Sequence, residues 1–69
     1  MTNLKRIRNE RGISQSKLAE LSGVNVRMIQ HYEQGFKDIN QASALTVYKL
    51  AETLCTTVGE LLEIEKAGS

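Results

Sequence analysis

Apolar residues recur along this chain at intervals of three and four, never in strict alternation, and glycines interrupt the recurrence. Gly12, Gly23 and Gly35 fall eleven or twelve residues apart, each closing an apolar run of helical period. Glycine just past a helix end adopts the left-handed conformation without a Cβ penalty, so this spacing predicts three successive helix stops. The starts agree with the stops. Ser14 and Asn25 stand as N-caps, each preceded by an aliphatic residue that can pack one turn on: Ile13 on Leu18, and Val24 on Ile29. Two hydrophobic staples in one register are thus expected.

The predicted elements follow. Helix 1 covers Asn3 to Arg11 and buries Leu4 and Ile7. Helix 2 covers Gln15 to Ser22, with Leu18, Ala19 and Leu21 inward, and helix 3 covers Val26 to Gln34, with Ile29 and Tyr32 inward. The connection beginning at Gly35 is expected to anchor through Phe36 and Ile39. Helix 4 begins at Asn40 or Ser43 and runs to Leu54, burying Leu45, Tyr48 or Val47, Leu50, Ala51 and Leu54. Thr57 and Glu60 form a capping box for a short helix 5 reaching Leu62 or Glu63, and Glu65 to Ser69 read as a frayed tail. The expected fold class is all-α, a five-helix bundle in a single domain spanning residues 1–69, without repeats or low-complexity segments.

Composition narrows the function. With 41% hydrophobic and 25% charged residues the chain is of ordinary globular type. Its only aromatics are Tyr32, Phe36 and Tyr48, so aliphatic side chains and alanine must build the core. One cysteine, Cys55, excludes an internal disulfide and reads as a small packed residue at a helix end rather than a redox sensor. No Cys/His grouping suits a metal, no glycine-rich loop suits a phosphate, and no apolar run suits a signal peptide or a membrane span. A cytoplasmic protein without cofactor, metal or small-molecule ligand is expected. The Met1 start and frayed end suit a complete small protein, the alternative being a piece of a larger regulator that has lost a ligand-binding or protease domain.

The net charge of +1 is uneven. Residues 1–37 carry seven basic against three acidic residues, and residues 38–69 carry two against five. The halves are therefore +4 and −3, a polarity able to aim one face at a polyanion. His31 and Tyr32 look like candidate acid–base chemistry. Helix neighbours diverge by about 100°, however, so they cannot face one another, and catalysis has no evident seat.

Two short helices joined by a tight turn form a helix-turn-helix unit over about residues 15–34. A small residue, Ala19, sits where the helices cross; Gly23 permits the turn; Ile29 fills the angle between them. The run from Gln15 to Asn25 (QSKLAELSGVN), followed by Ile29 to Gly35 (IQHYEQG), resembles the phage lambda repressor/Cro-like family, also called xenobiotic-response-element-like regulators. Tyr48-Lys49-Leu50-Ala51 and Glu60-Leu61-Leu62 are similar too, so the resemblance spans about residues 3–63.

What the resemblance implies is a sequence-specific transcription regulator, a repressor, that sets helix 3 (residues 26–34) in the major groove of double-stranded DNA. By the same resemblance Val26, Arg27, Met28, Gln30 and His31 face base edges. Arg27 is the candidate for guanine and Val26 for a thymine methyl. Gln15, Asn25, Lys37, Asn40 and Arg8 are implied as backbone contacts, and Arg8 with Glu33 as an internal ion pair. Lys5, Arg6 and Arg11 flank that face or are simply solvated. A module this small buries limited surface on a half-site, so a homodimer on a palindromic operator is expected, with Leu61, Leu62 and Ile64 as its candidate seam. The alternative is an antitoxin-like or mobile-element protein-interaction module in which DNA binding is secondary or lost. Three features depart from the family pattern: a longer connection after Gly35 without its usual proline, Cys55 where a glycine is common, and an apolar Val26.

Overall fold

A computed structural model describes residues 1–64, and the frayed tail expected from residues 65–69 lies outside them. Five α-helices follow in order: α1 (Asn3–Glu10), α2 (Gln15–Ser22), α3 (Val26–Gln34), α4 (Ala44–Thr53) and α5 (Val58–Leu61). A 3₁₀ turn (Ile39–Gln41) lies between α3 and α4, and no strand occurs among the described residues. None of these helices is long and apolar enough to cross a membrane.

Each α-helix opens on a side-chain cap. Thr2, Ser14, Asn25, Ser43 and Thr57 accept from backbone N–H groups of the first turns of α1 to α5, and Asp38 does the same for the 3₁₀ turn. Every cap satisfies a donor that the helix itself leaves unpaired. Of the two starts open for helix 4, Ser43 is the cap, and Asn40 lies in the 3₁₀ turn. Helix α1 ends at Glu10, one residue short of expectation, with Arg11 as its C-cap, and α5 ends at Leu61.

The end of α4 shows how a motif survives an unfavourable residue. The Thr56 N–H reaches the Ala51 carbonyl at 2.9 Å and the Cys55 N–H reaches that of Glu52 at 3.2 Å. This is the two-bond C-terminal closure usually completed by glycine. Here Cys55 takes φ +55°, alone among the described non-glycine residues in having positive φ. Arg11 reinforces the closure by donating from Nε to the Leu54 carbonyl at 2.7 Å and from Nη2 to that of Cys55 at 3.3 Å. Arg11 is therefore a clamp between α1 and the end of α4. Cys55 is exposed, not packed; the left-handed turn carries its side chain outward.

Seven side chains are fully enclosed: Leu4, Ile7, Leu18, Ile29, Leu50, Leu54 and Leu61. Each contributes about 1.5–3 kcal/mol by leaving water. Three expectations about burial are corrected, at Leu21, Leu45 and Phe36, and one open choice is resolved. Leu21 is 57% exposed, because the inward stripe of α2 runs through Gln15, Leu18, Ala19 and Ser22 instead. Ser22 is accepted there because its hydroxyl takes the Val24 N–H at 3.1 Å. Leu45 is 60% exposed, since the stripe Val47–Leu50–Ala51–Leu54 puts it on the far face of α4. Of Tyr48 and Val47, Val47 is buried. Phe36 is exposed, and Ile39 alone of that pair anchors the connection.

The C-terminal end of the described chain is tied down by side chains. The Asn40 amide grips the Glu63 backbone twice, donating to its carbonyl at 2.9 Å and accepting its N–H at 2.8 Å. The Asn3 side chain donates to the Leu62 carbonyl at 2.9 Å, and the Glu63 carboxylate accepts the Asn3 N–H at 2.6 Å.

Candidate nucleic-acid interface

The geometry of α2 and α3 is set by three small decisions of the sequence. Gly23 adopts φ +77° and its N–H returns to the Ala19 carbonyl at 2.9 Å, ending α2 sharply. Asn25 then caps α3, its Oδ1 accepting the Arg27 N–H at 2.7 Å. Val24 and Ile29 are both buried in the core, and Ala19 and Ile13 pack on it from the side. Both staples expected from the caps thus bring their apolar residues to the common core.

Behind α3 lies a polar network centred on Glu33. Its Oε2 accepts from Arg8 Nε at 2.7 Å, and its Oε1 accepts from Arg8 Nη2 at 3.0 Å and from Gln15 Nε2 at 2.9 Å. Arg8 Nη1 donates to the Ile13 carbonyl at 2.8 Å. The side chains of Arg8 and Glu33 are only 10% and 2% exposed, and no buried side-chain nitrogen or oxygen among the described residues lacks a partner. The hydrogen bonds that Arg8 donates to Glu33 hold its guanidinium even more firmly protonated than usual; desolvation opposes this and the charge of Glu33 adds to it. One carboxylate therefore ties α1, the first turn of α2 and the last turn of α3 together. The ion pair expected between Arg8 and Glu33 is present. Gln15 joins that pair as a third member beyond the expectation, placed there by the stripe it shares with Leu18 and Ser22.

With Ile29, Tyr32 and Glu33 buried on one side of α3, the opposite side is fixed by helical period. Arg27 is exposed there and His31, one turn later, is half-buried. Gln30 and Met28 flank that stripe, both half-buried, and Met28 leans on the core. Val26 is half-buried at the first turn. Gln34, not among the expected contacts, is exposed three residues beyond His31 and seven beyond Arg27, so it continues the stripe. The signal was available in the spacing.

Among the expected backbone contacts, Asn25 and Lys37 are exposed at the two ends of α3. Gln15 sits at the α2 N-terminus with its amide nitrogen on Glu33. Arg8 donates to protein acceptors from all three of its nitrogens, and the Asn40 amide is engaged with Glu63. Leu61, one of three residues in the expected dimer seam, is fully buried in the chain's own core, leaving half-buried Leu62 and exposed Ile64.

The helix-turn-helix family model matches residues 4–66, nearly the whole chain. No curated protein and no solved structure matches.

Proposed function

Because the chain belongs to the lambda repressor/Cro-like helix-turn-helix family of DNA-binding transcription regulators, we infer that it is a repressor that reads an operator with α3. The whole chain, residues 1–69, acts as one such domain. The observation that carries this reading is the Glu33 network: three side-chain bonds hold the back of α3 while Arg27 and His31 point away from it. A recognition element must be held rigidly to discriminate bases.

Arg27 pairs with a guanine by donating two N–H groups of one guanidinium edge to O6 and N7, a contact worth about 1–3 kcal/mol of discrimination. Val26, Met28, Gln30 and His31 supply the remaining base contacts, with Val26 against a thymine methyl. Gln15, Asn25, Lys37 and Asn40 lie against phosphates, and Arg8 acts through Glu33 by fixing the pitch of α3. Two copies bind a palindrome with half-site centres about 34 Å apart, one turn of the duplex. Leu62 and Ile64 belong to the seam between them.

The exposed apolar side chains Leu21, Leu45 and Tyr48 favour a second reading, an antitoxin-like module that docks on another protein. Selection from a random duplex pool separates the two. The repressor reading expects an inverted repeat to be enriched, and affinity to fall by at least tenfold in Arg27→Ala with the helical spectrum unchanged. Failure of the protein to enrich any duplex would sink it and turn attention to the apolar surface.

A further inference from the structure

The outward stripe of α3 continues past the end of the helix. Phe36, the residue after Gly35, is 76% exposed. Its N–H donates to the His31 carbonyl at 2.9 Å, and the Lys37 N–H donates to the same oxygen at 3.2 Å. The backbone is therefore pinned to the last turn of α3. The Phe36 ring meets His31 edge to face, with centroids 6.0 Å apart and planes inclined by 70°. An aromatic ring is thus held beside a residue on the base-facing stripe, with a lysine next in sequence, while Ile39 anchors the connection to the core.

We propose that Phe36 reads DNA directly, packing its ring on the methyl group of a thymine next to the base pair that His31 meets. A phenyl ring offers no hydrogen bond to a base edge. The apolar feature of the major groove is the thymine methyl, and phenylalanine is one of the side chains that match it. Lys37 supplies the phosphate contact beside that base. The inference rests on α3 reading duplex DNA, and it assigns a specificity position outside the helix.

The test uses the duplex enriched by the full chain, with Phe36→Ala and His31→Ala compared side by side. Wild type is expected to enrich a thymine neighbouring the position whose preference changes in His31→Ala. Phe36→Ala is expected to lose that one preference and keep the rest of the motif. Replacing that thymine by deoxyuridine removes only the methyl. The replacement should weaken wild type by about three- to fivefold, the worth of one buried methyl-sized group, and leave Phe36→Ala unmoved. The dependence on salt should be the same in both proteins, because no phosphate contact is lost. Equal response of the two proteins to deoxyuridine, or an unchanged motif in Phe36→Ala, overturns the assignment while Arg27→Ala still reports on α3. If wild type enriches no duplex, the reading of α3 fails and this assignment falls with it.

Discussion

Arg8 and Glu33 meet as a fork: two nitrogens of one guanidinium reach the two oxygens of one carboxylate, at 2.7 and 3.0 Å. The residues are 25 positions apart, so the pair forms only when α1 lies against α3. Both charges are largely withdrawn from water, and such a pair resists the loss of one partner more than the loss of both. Glu33→Ala, which strands the guanidinium and leaves Gln15 without its acceptor, is expected to cost about 3–5 kcal/mol. The double variant Arg8→Met with Glu33→Leu should recover most of that. Denaturant titration measures both, and a Glu33→Ala protein as stable as wild type would remove the network from the account of α3.

Two left-handed positions should answer opposite substitutions with opposite signs. A Cβ at Gly23 meets nothing within 4 Å, so Gly23→Ala suffers only the backbone penalty at φ +77°, about 1 kcal/mol. Cys55 already bears that penalty at φ +55°. Cys55→Gly is therefore expected to stabilise by up to ~1 kcal/mol, or roughly 5 °C in Tm for a domain of this size. Calorimetry on the two variants checks the pair of signs.

At the other end of the pH scale, Tyr48 is the group to follow. Its hydroxyl donates to Glu52 Oε1 at 2.8 Å, and this bond, with the neighbouring negative charge, raises the phenol above its ordinary value. The folded protein thus favours the protonated phenol. The associated stabilisation is fully present below the unfolded value near 10 and is lost as pH rises through the higher folded value. Glu52→Ala should lower the Tyr48 midpoint, as read from its ring signals by nuclear magnetic resonance. An unmoved midpoint would contradict the bond.

Lys37 and Arg27 should be distinguishable by salt and sequence. Lys37→Ala is expected to weaken all duplexes alike and reduce the magnitude of the salt slope by about 1 per protomer. Arg27→Ala should instead relax the preference at one base pair of each half-site. Binding isotherms at several salt concentrations, on the selected and a scrambled duplex, separate the two. Identical behaviour of the variants would argue against their assigned contacts.

Much of the fold is legible in the sequence because its determinants are local. Ser14, Asn25 and Thr57 cap helices within three residues of themselves, and Gly12, Gly23 and Gly35 end them. Expectation and structure differ where apolar character and burial part company. Leu21 and Leu45 lie off their helices' inward stripes, and the turn at Gly35 leads Phe36 into solvent. Ser22 is the converse, a polar residue made acceptable inside by one bond to Val24. Contacts between distant positions left no local trace: Asn40 on Glu63, Asn3 on Leu62 and Arg11 on Leu54 join residues that only the assembled bundle brings together. In the candidate site, the stripe of α3 follows from period alone, and Gln34 could have been read from it. The partnership of Gln15 with Glu33 required the crossing of two helices to be known.

The caps also bear on how fast this chain finds its shape. A helix whose first turn is satisfied by its own preceding side chain need not wait for a distant segment to begin forming. The search then reduces to docking short pieces that already resemble their final form, and mostly local contacts of this kind give helical domains folding times of about microseconds to milliseconds. The ties from Asn3 to residues 62 and 63 span the greatest lengths of chain, 59 and 60 positions. Closing the longest loop costs the most chain entropy, so these ties are expected to close late on assembly and to open early when the domain breathes.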